Sequence, residues 1–430
     1  MMEDITYEEW SDIQTECNDL LEVYLEDNIL LVSEVSFFPT LFCDIHSFMV
    51  LNGIQQGWCC EEDADELYEI IAGFCTEHLK CIGVPLRELS PYRVYEYKEN
   101  EVKLTIAWLD NFPIQRQRTV EWHATRRQLF SASNLWKLFG TPSQYNSLIY
   151  EKCKEVKIME SQQFEGDILS PNARNWGIKY EPVSVLIYEH KYNTLINNKY
   201  GCIPHETYPI GASPDGINIK ENHPKYGHLL EIKNIYNREM NGIPSKEYWI
   251  QMQIQMETCR LEYCDFLETR FKEYSKEEYE EDGTSEYKGI MLFFIPKENT
   301  TVQSHFIYVP FALENTDEWI DKKVLEMDSH ILYIRTYWYL DEMFCTEIER
   351  NDIWFRSSVP KMIEGWETVL KERVDGFEHR APRARKKKGN TFDLSVTNTS
   401  TSTNTNTNSG GVTIIKLDER GCELSTIHIH

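Results

Sequence analysis

The feature that most constrains the fold is a pair of short apolar segments joined by a polar turn. Residues 217–219 and 229–232 consist mainly of isoleucine and leucine, and residues 222–227 between them are NHPKYG. Apolar runs on either side of asparagine, proline and glycine predict two strands that pair across a turn. The chain must therefore contain a sheet built around this hairpin.

Charged residues occur inside or beside these apolar segments, at Asp215, Glu231 and Lys233. Residues i and i+2 of a strand point to the same face, so Glu231 and Lys233 should project together, and the turn should return Asp215 beside them. Two carboxylates with room for water and phosphate suit Mg²⁺, and a neighbouring lysine can orient or help deprotonate water and offset charge on phosphate. A surface hairpin with a Glu231–Lys233 ion pair has the same pattern, so the pattern alone leaves both interpretations open.

Helical and strand-like patterns are mixed over residues 115–345, which predicts an α/β (α+β) fold with a mixed central sheet flanked by helices. Around residues 128–138 we expect a turn that enters a helix, with Ser131 or Ser133 as its N-cap. Further strands are expected at 288–295 and 305–309. Helices are expected at 63–80, 176–190, 244–267, within 316–344, and at 360–374.

Charge is unevenly distributed along the 430 residues, which carry a net charge of −26. Residues 1–110 hold 24 acidic and 5 basic side chains, and are expected to form an acidic, mainly helical module. Residues 111–430 hold 46 acidic and 39 basic side chains and are nearly balanced, so the acidic total does not exclude a DNA partner for the main domain, residues 111–376. Residues 377–430 start with a basic run and continue as Ser, Thr and Asn, which predicts a disordered, flexible tail.

The sequence also argues against a membrane-spanning or a secreted protein. No apolar run approaches the roughly 20 residues of a membrane-spanning helix, and the acidic N-terminus lacks the layout of a signal peptide. We therefore expect an intracellular protein with no membrane partner, in which the twelve cysteines are reduced thiols.

Four sequence blocks, which follow one another in a characteristic order along the chain, favour the metal site over a surface hairpin. They are RTVEWHATR at 118–126 followed by FSAS at 130–133, WGIKYEP at 176–182, Pro214-Asp215 with Glu231-Ile-Lys233, and YWIQMQIQM at 248–256. Together they resemble the lambda-exonuclease and YqaJ viral recombinase branch of the PD-(D/E)XK nuclease superfamily, with its WHxxR…ITAS, WGxxxE and Tyr-x-x-Gln-x-Gln segments. The loop after Lys233 departs from that branch, since Asn-Ile-Tyr stands where Cys-Pro is frequent.

The resemblance implies a PD-(D/E)XK, restriction-endonuclease-like core and a metal site. In it Asp215, Glu231 and the main-chain carbonyl of Ile232 would be ligands of Mg²⁺, with Mn²⁺ as an alternative. Lys233 would position or activate the attacking water. Glu181 would contact the metal site from its helix. Each has an ordinary structural alternative, such as a polar residue on an amphipathic helix for Glu181.

The resemblance also implies roles in substrate binding. Gln251 would orient the nucleophile or the substrate, although Gln251 and Gln255 could equally form a solvated helix face. Arg126 and Ser133 would bind a 5′-terminal phosphate, although they could equally be a surface charge and a helix cap. A phosphate held there would explain a preference for ends over internal sites.

The implied function is a Mg²⁺-dependent deoxyribonuclease, a 5′–3′ exonuclease that resects duplex DNA ends for recombination or repair in a large DNA virus. Its expected partners are DNA, a single-strand annealing or replication protein, and further copies of the chain, in the host cytoplasm or nucleus. Two alternatives stay open from the sequence: a structure-specific endonuclease, and a non-catalytic DNA-recombination binding module.

Overall fold

The structure is a computed structural model. It describes residues 5–87, 99–113, 119–155, 169–170, 172–297, 304–311, 313, 315–382, 412–417 and 423–429. Residues 1–382 form one compact unit and residues 383–430 form another. Arg118, most of the basic run and the Ser/Thr/Asn-rich segment lie outside the described residues, so the expectation of a disordered tail stays a prediction for them. Two antiparallel strands, β11 (Val412–Leu417) and β12 (Glu423–Ile429), are described within the tail.

The acidic N-terminal segment is helical, as predicted. Its helices are α1 (Tyr7–Asn28), α2 (Phe37–Gln56), α3 (Ala64–Cys81) and α4 (Glu99–Asp110). Helix α1 begins at Thr6, whose side chain and that of Glu9 form a capping box. One side of each of α1, α2 and α3 is buried in a continuous apolar core that also includes residues of the remaining domain, from Phe130 to Val369.

Helix α2 corrects the expectation about apolar runs. By length and composition it is apolar enough to cross a membrane. Leu41, Ile45 and Met49 of α2 are buried, spaced four residues apart, and lie in the shared core. Such a buried stripe is also typical of core helices of soluble proteins, which can be equally long and apolar.

The remaining helices surround the sheets. They are α5 (Val120–Arg127), α6 (Ala132–Leu135), α7 (Pro142–Cys153), α8 (Ala173–Tyr192), α9 (Lys246–Cys259), α10 (Lys276–Glu281), α11 (Thr316–Glu326) and α12 (Asp352–Asp375). Ser131 is the N-cap residue of α6, although its side chain makes no capping hydrogen bond.

The strands belong to two sheets in the main unit. They are β1 (Phe130–Ser131), β2 (Ile196–Asn197), β3 (Ile203–Pro204), β4 (Ile210–Ala212), β5 (Gly216–Asn218), β6 (Leu229–Asn234), β7 (Tyr263–Tyr274), β8 (Lys288–Pro296), β9 (His305–Tyr308) and β10 (His330–Glu349). The large sheet has the order β2-β5-β6-β7-β10-β8-β9, and the small sheet has the order β1-β4-β3. The pair β6 and β7 is parallel and is joined through α9, whereas the other pairs of the large sheet are antiparallel. The predicted mixed central sheet flanked by helices is confirmed.

The predicted hairpin is present, with β5 and β6 paired antiparallel. Its turn places Asn222 and Gly227 in the left-handed region, with φ of 59° and 83°. Asparagine and glycine tolerate that conformation better than other residues, which explains why the polar turn forms here.

Two helix predictions are wrong in part. Helix α9 ends at Cys259, and residues 263–267 begin strand β7. Residues 330–344 belong to the 20-residue strand β10, which pairs with both β7 and β8. The many isoleucine, tyrosine, threonine and tryptophan side chains of β10 favour a pleated surface between two strands.

Candidate active site

Asp215 lies in the short connection between β4 and β5, at the point where the hairpin closes. Gly216 pairs with Leu230, so Asp215 comes beside Glu231 across the antiparallel pair. Its Oδ2 accepts a hydrogen bond of 2.8 Å from the backbone N–H of Ile232. The side chain of Asp215 thus continues the β5–β6 contact by one residue and is held against the middle of β6.

Glu231 and Lys233 project from the same face of β6, as the spacing predicts. Glu231 is fully buried, and its two oxygens have different partners. Oε1 accepts from the ammonium group of Lys233, and Oε2 accepts from Nε2 of Gln255 at 2.7 Å. Leu230 and Ile232 point to the opposite face, where they pack with Val185 of α8.

The ammonium group of Lys233 is positioned from both sides. Its Nζ lies 4.7 Å from the ring centroid of Tyr248 on α9, in addition to its contact with Glu231. Burial lowers the pKa of Lys233, but the carboxylates of Glu231 and Asp215 outweigh burial and raise the pKa above its usual value. Lys233 is therefore a cation between two carboxylates.

Negative charge accumulates at Asp215. Burial, together with the charges of Glu231 and Glu181, raises the pKa of Asp215 well above its usual value, and Lys233 and the Ile232 N–H only partly oppose them. The charges of Glu231 and Glu181 therefore act on the Asp215 carboxyl group, and the ammonium group of Lys233 lies beside it. Such a set of hard oxygen donors fits a divalent cation, since a cation would relieve the repulsion.

The carbonyl of Ile232 is oriented to join this donor set. In a β-strand the N–H and C=O of one residue point to the same side, because paired residues exchange both bonds. Since the N–H of Ile232 binds Asp215, its carbonyl also points toward the Asp215 side of β6. The sequence prediction of Ile232 as a main-chain ligand is compatible with this direction.

Glu181 approaches from α8 and is exposed. Its charge acts on Asp215 and also raises the pKa of Tyr308, after burial of that phenol. The structure thus brings Glu181 within electrostatic range of the Asp215 site from a second element.

Gln251 and Gln255 lie on the same face of α9, one turn apart. Gln255 is fully buried and makes the hydrogen bond to Glu231, whereas Gln251 is half-buried. The sequence indicates for Gln255 only a helix face shared with Gln251. The four-residue spacing shows that the two glutamines share this face, but it does not show which of them reaches Glu231.

Arg126 and Ser133 lie near the same edge. Strand β1 runs parallel to β4, with Ser131 opposite Gly211. Ser133 and Asp215 therefore follow the carboxyl ends of neighbouring parallel strands, and Ser133 is exposed, with its hydroxyl 3.4 Å from that of Ser131. The guanidinium carbon of Arg126 lies 4.6 Å from the ring centroid of Trp122.

Further cations gather around Arg126 that the sequence did not reveal. Lys152 is buried, and its Nζ donates to the backbone carbonyl of Arg126 at 3.0 Å. Burial lowers the pKa of Lys152 to about 8; Glu151 opposes this effect, and Arg126 and Arg373 add to it. Arg373 donates to the backbone carbonyl of Lys152 at 2.9 Å. These basic groups add positive charge around Arg126.

A second acidic cluster lies elsewhere on the sheet. His228, Asp265 and Glu347 each place one potential ligand atom within 4.8 Å of the others. The ammonium group of Lys225 already contacts Asp265 at 2.8 Å and Glu347 at 3.0 Å. Burial raises the pKa of Asp265, but His228 and Lys225 more than reverse this and hold it below its usual range. A built-in cation thus stands where a metal ion would otherwise bind.

Comparison with known proteins finds a family model that matches the central region. Residues 121–262 match the model of the YqaJ-like viral recombinase domain. An uncharacterised protein of Acanthamoeba polyphaga mimivirus is 24% identical over 322 residues, which is 65% of this chain and 56% of the relative. The chain thus spans little more than half the length of that relative.

Two solved structures were also found. They are the alkaline exonuclease LHK-Exo from Laribacter hongkongensis and LHK-Exo in complex with dAMP. Each has a TM-score of 0.33 and 19% identity, and covers 61% of this chain and 95% of its own. The match at 121–262 contains or overlaps all four blocks, so the resemblance of this region to the YqaJ-like viral recombinase domain is confirmed.

Proposed function

We propose that this protein is a Mg²⁺-dependent deoxyribonuclease that digests duplex DNA from its ends. The observation that carries the proposal is the convergence of Asp215, directly before β5, and Glu231, in the paired strand β6, beside the ammonium group of Lys233. The YqaJ-like domain supports DNA as the substrate. The raised pKa of Asp215 means that its ionised form is unfavourable unless a cation offsets the charge.

Different side chains would perform different steps of hydrolysis. Asp215, Glu231 and the carbonyl of Ile232 would hold Mg²⁺, or Mn²⁺ in its place. A bound ion would supply Lewis-acid chemistry for the scissile phosphate and for water. Lys233 orients or activates the attacking water, and its charge offsets negative charge that develops on phosphate.

Other residues support this centre. Gln255 fixes the orientation of Glu231 through its 2.7 Å hydrogen bond. Gln251, on the same face of α9, is placed toward the nucleophile or substrate. Glu181 contributes charge from α8 and is a candidate ligand, directly or through water, for the ion.

A preference for ends follows from the basic residues beside the site. Arg126 and Ser133 bind the 5′-terminal phosphate, and Lys152 and Arg373 strengthen the positive potential around Arg126. Arginine offers a planar fork of donors that matches a terminal phosphate. Holding that phosphate makes the enzyme a 5′–3′ exonuclease.

The mimivirus relative supports a viral setting. A 5′–3′ exonuclease exposes 3′ single strands, which an annealing or replication protein of the virus would then bind during recombination or repair. Such an enzyme would act in the host cytoplasm or nucleus, as a monomer or with further copies of the chain.

A time course on end-labelled linear duplex and closed circular DNA tests the proposal. With Mg²⁺ the linear substrate should lose nucleotides progressively from its 5′ ends, the circle should stay intact, and EDTA should stop the reaction. Cutting of closed circles would instead favour a structure-specific endonuclease. Binding of DNA without any cleavage in Mg²⁺ or Mn²⁺ would favour a non-catalytic recombination module.

A further inference from the structure

An aromatic cleft of about 420 Å³ opens beside the candidate active site. Its walls include Trp176, Tyr236, Phe271, Tyr274 and Tyr339. Its volume lies within the range of pockets that bind small organic groups. The roles assigned to the active-site residues leave this cleft unused.

The front of the cleft is a pair of rings, one fixed and one accessible. The ring centroids of Trp176 and Tyr236 are 5.4 Å apart. Trp176 is supported from behind by Tyr180, at 4.5 Å, and Tyr180 is itself fully buried and stacked on Phe271. Tyr236 is 40% exposed, so its ring can accept a partner from solvent.

The cleft is built from the same two elements, α8 and the end of β6, that carry Glu181 and Lys233. Trp176 precedes Glu181 by five residues on α8, a rise of about 7.5 Å along the helix. Tyr236 follows Lys233 by three residues, an extended distance of about 10 Å. Nδ2 of Asn234 donates to the carbonyl of Gly177 at 3.1 Å, which ties the end of β6 to the start of α8.

The rim of the cleft carries charges of both signs, from Lys272, Glu273 and Glu278. Lys272 pairs with Asp341 at 2.9 Å, and Lys179 pairs with Glu273 at 2.6 Å. The Lys272 pair lies at the surface, where ion pairs are weak, so its ammonium group can be shared with a phosphate. Nε1 of Trp176 is buried and makes no hydrogen bond within the ranges that the structure describes.

We propose that this cleft binds one unpaired nucleobase of the DNA, within a few nucleotides of the phosphate that is cleaved. The proposal rests on the proposed nuclease function and names a feature of its substrate. A base inside a duplex already stacks on its neighbours, so only an unpaired base offers its face to Trp176 and Tyr236. The cleft would therefore stabilise a melted end over a closed one.

The test places the fluorescent base 2-aminopurine at successive positions from the 5′ end of a duplex. Binding by the Glu231→Gln protein, which keeps the DNA intact, should quench one position by stacking. Tyr236→Ala in that background should abolish the quenching and weaken binding of DNA with a frayed end by about tenfold. Tyr236→Phe keeps the ring and should retain both, and so should the control Tyr333→Ala, which removes a tyrosine that is 57% exposed elsewhere.

A second measurement needs no variant in the cleft. The otherwise unchanged protein should pause on DNA that has an abasic site at the same offset that shows quenching, and at no other offset. Equal quenching in Tyr236→Ala, or pausing that is independent of offset, would overturn the cleft as a base site while nuclease activity remained. Absence of both DNA binding and cleavage would instead contradict the proposed function.

Discussion

Asp215 is a residue at which the fold accepts a cost in stability. Its raised pKa means that ionisation is less favourable in the folded chain than in the unfolded one. Ionised Asp215 therefore destabilises the metal-free fold as pH rises above about 3.9, the ordinary aspartate value, and the full cost applies above the raised folded pKa. Active sites commonly retain such strain because function needs it.

The first prediction follows from that sign. Asp215→Asn should raise the melting temperature in EDTA at neutral pH by a few degrees, since the amide removes a charge and its oxygen can still accept from Ile232. Thermal unfolding of both proteins measures this difference. Asp328→Asn, at a side chain that is 99% exposed, should leave the melting temperature unchanged. A lower melting temperature for Asp215→Asn would show that its charge stabilises the fold.

The second prediction concerns Arg126. Arg126→Ala should slow digestion of 5′-phosphorylated ends by about tenfold or more and leave 5′-hydroxyl ends nearly unaffected, because a charge-assisted contact to the phosphate is lost. Initial rates on the two substrates measure it. Arg356→Ala, at a side chain that is 79% exposed, is the matched control. Equal slowing on both kinds of end would place the role of Arg126 elsewhere.

Spacing explains which site residues could be predicted. The i and i+2 relation put Glu231 and Lys233 together, and the turn returned Asp215 beside them. Gln255 could not be separated from Gln251, because both occupy one helix face and only the position of α9 over β6 decides which reaches Glu231. Lys152 was missed because its burial near Arg126 depends on contacts between distant segments.

At the scale of elements, the cluster around Lys225 connects the hairpin turn to β7 and β10. Asp265 is fully buried and receives hydrogen bonds from Lys225 and from the hydroxyl of Tyr188. Its lowered pKa stabilises the fold above the unfolded value of about 3.9, and this contribution is lost as pH falls toward the folded value.

The third prediction tests that cluster. Lys225→Met should lower the free energy of unfolding by about 3–5 kcal/mol at neutral pH, because a buried carboxylate loses its cation. The difference should shrink below about pH 4, because the unfolded chain then takes up a proton at Asp265 and the wild-type protein loses the stability that the ion pair contributes. Urea unfolding at several pH values measures it, with Lys276→Met as a control at an exposed pair. A change as small as that of the control would show that Lys225 is dispensable.

Strand β10 shows why some elements could not be predicted. Its apolar residues resemble a helical pattern when counted along the chain, and nothing local indicates that β7 and β8 will lie on either side of it. Pairing with strands that are distant in sequence overrides local propensity. Strand β6 was predictable because its hairpin partner is nearby.

At the scale of the whole molecule, the expected division at residue 377 lies inside a packed segment. Arg380 contacts Glu372, and the ring of Phe377 lies 5.5 Å from that of Tyr150. The compact unit extends to Pro382. The acidic N-terminal helices share one apolar core with the rest of this unit. The difference in charge composition along the chain therefore does not mark a boundary in packing.

The fourth prediction concerns the tail beyond that unit. Residues 383–388 hold five basic side chains. Deleting 383–430 should weaken duplex DNA binding and reduce the slope of log affinity against log salt by roughly 0.9 for each lost phosphate contact. Binding measured across salt concentrations gives both values. An unchanged affinity and slope would leave the tail as a targeting signal or a handle for a partner.

The most direct test of the two-carboxylate centre is the initial rate of nucleotide release from linear duplex DNA in Mg²⁺. Glu231→Gln, Asp215→Asn and Lys233→Ala should each lower that rate by about three orders of magnitude, because each removes a ligand or the neighbouring cation. Glu262→Gln, at an exposed carboxylate that pairs with Arg350, should keep the wild-type rate. A wild-type rate in Glu231→Gln or Asp215→Asn would contradict the assignment of this site.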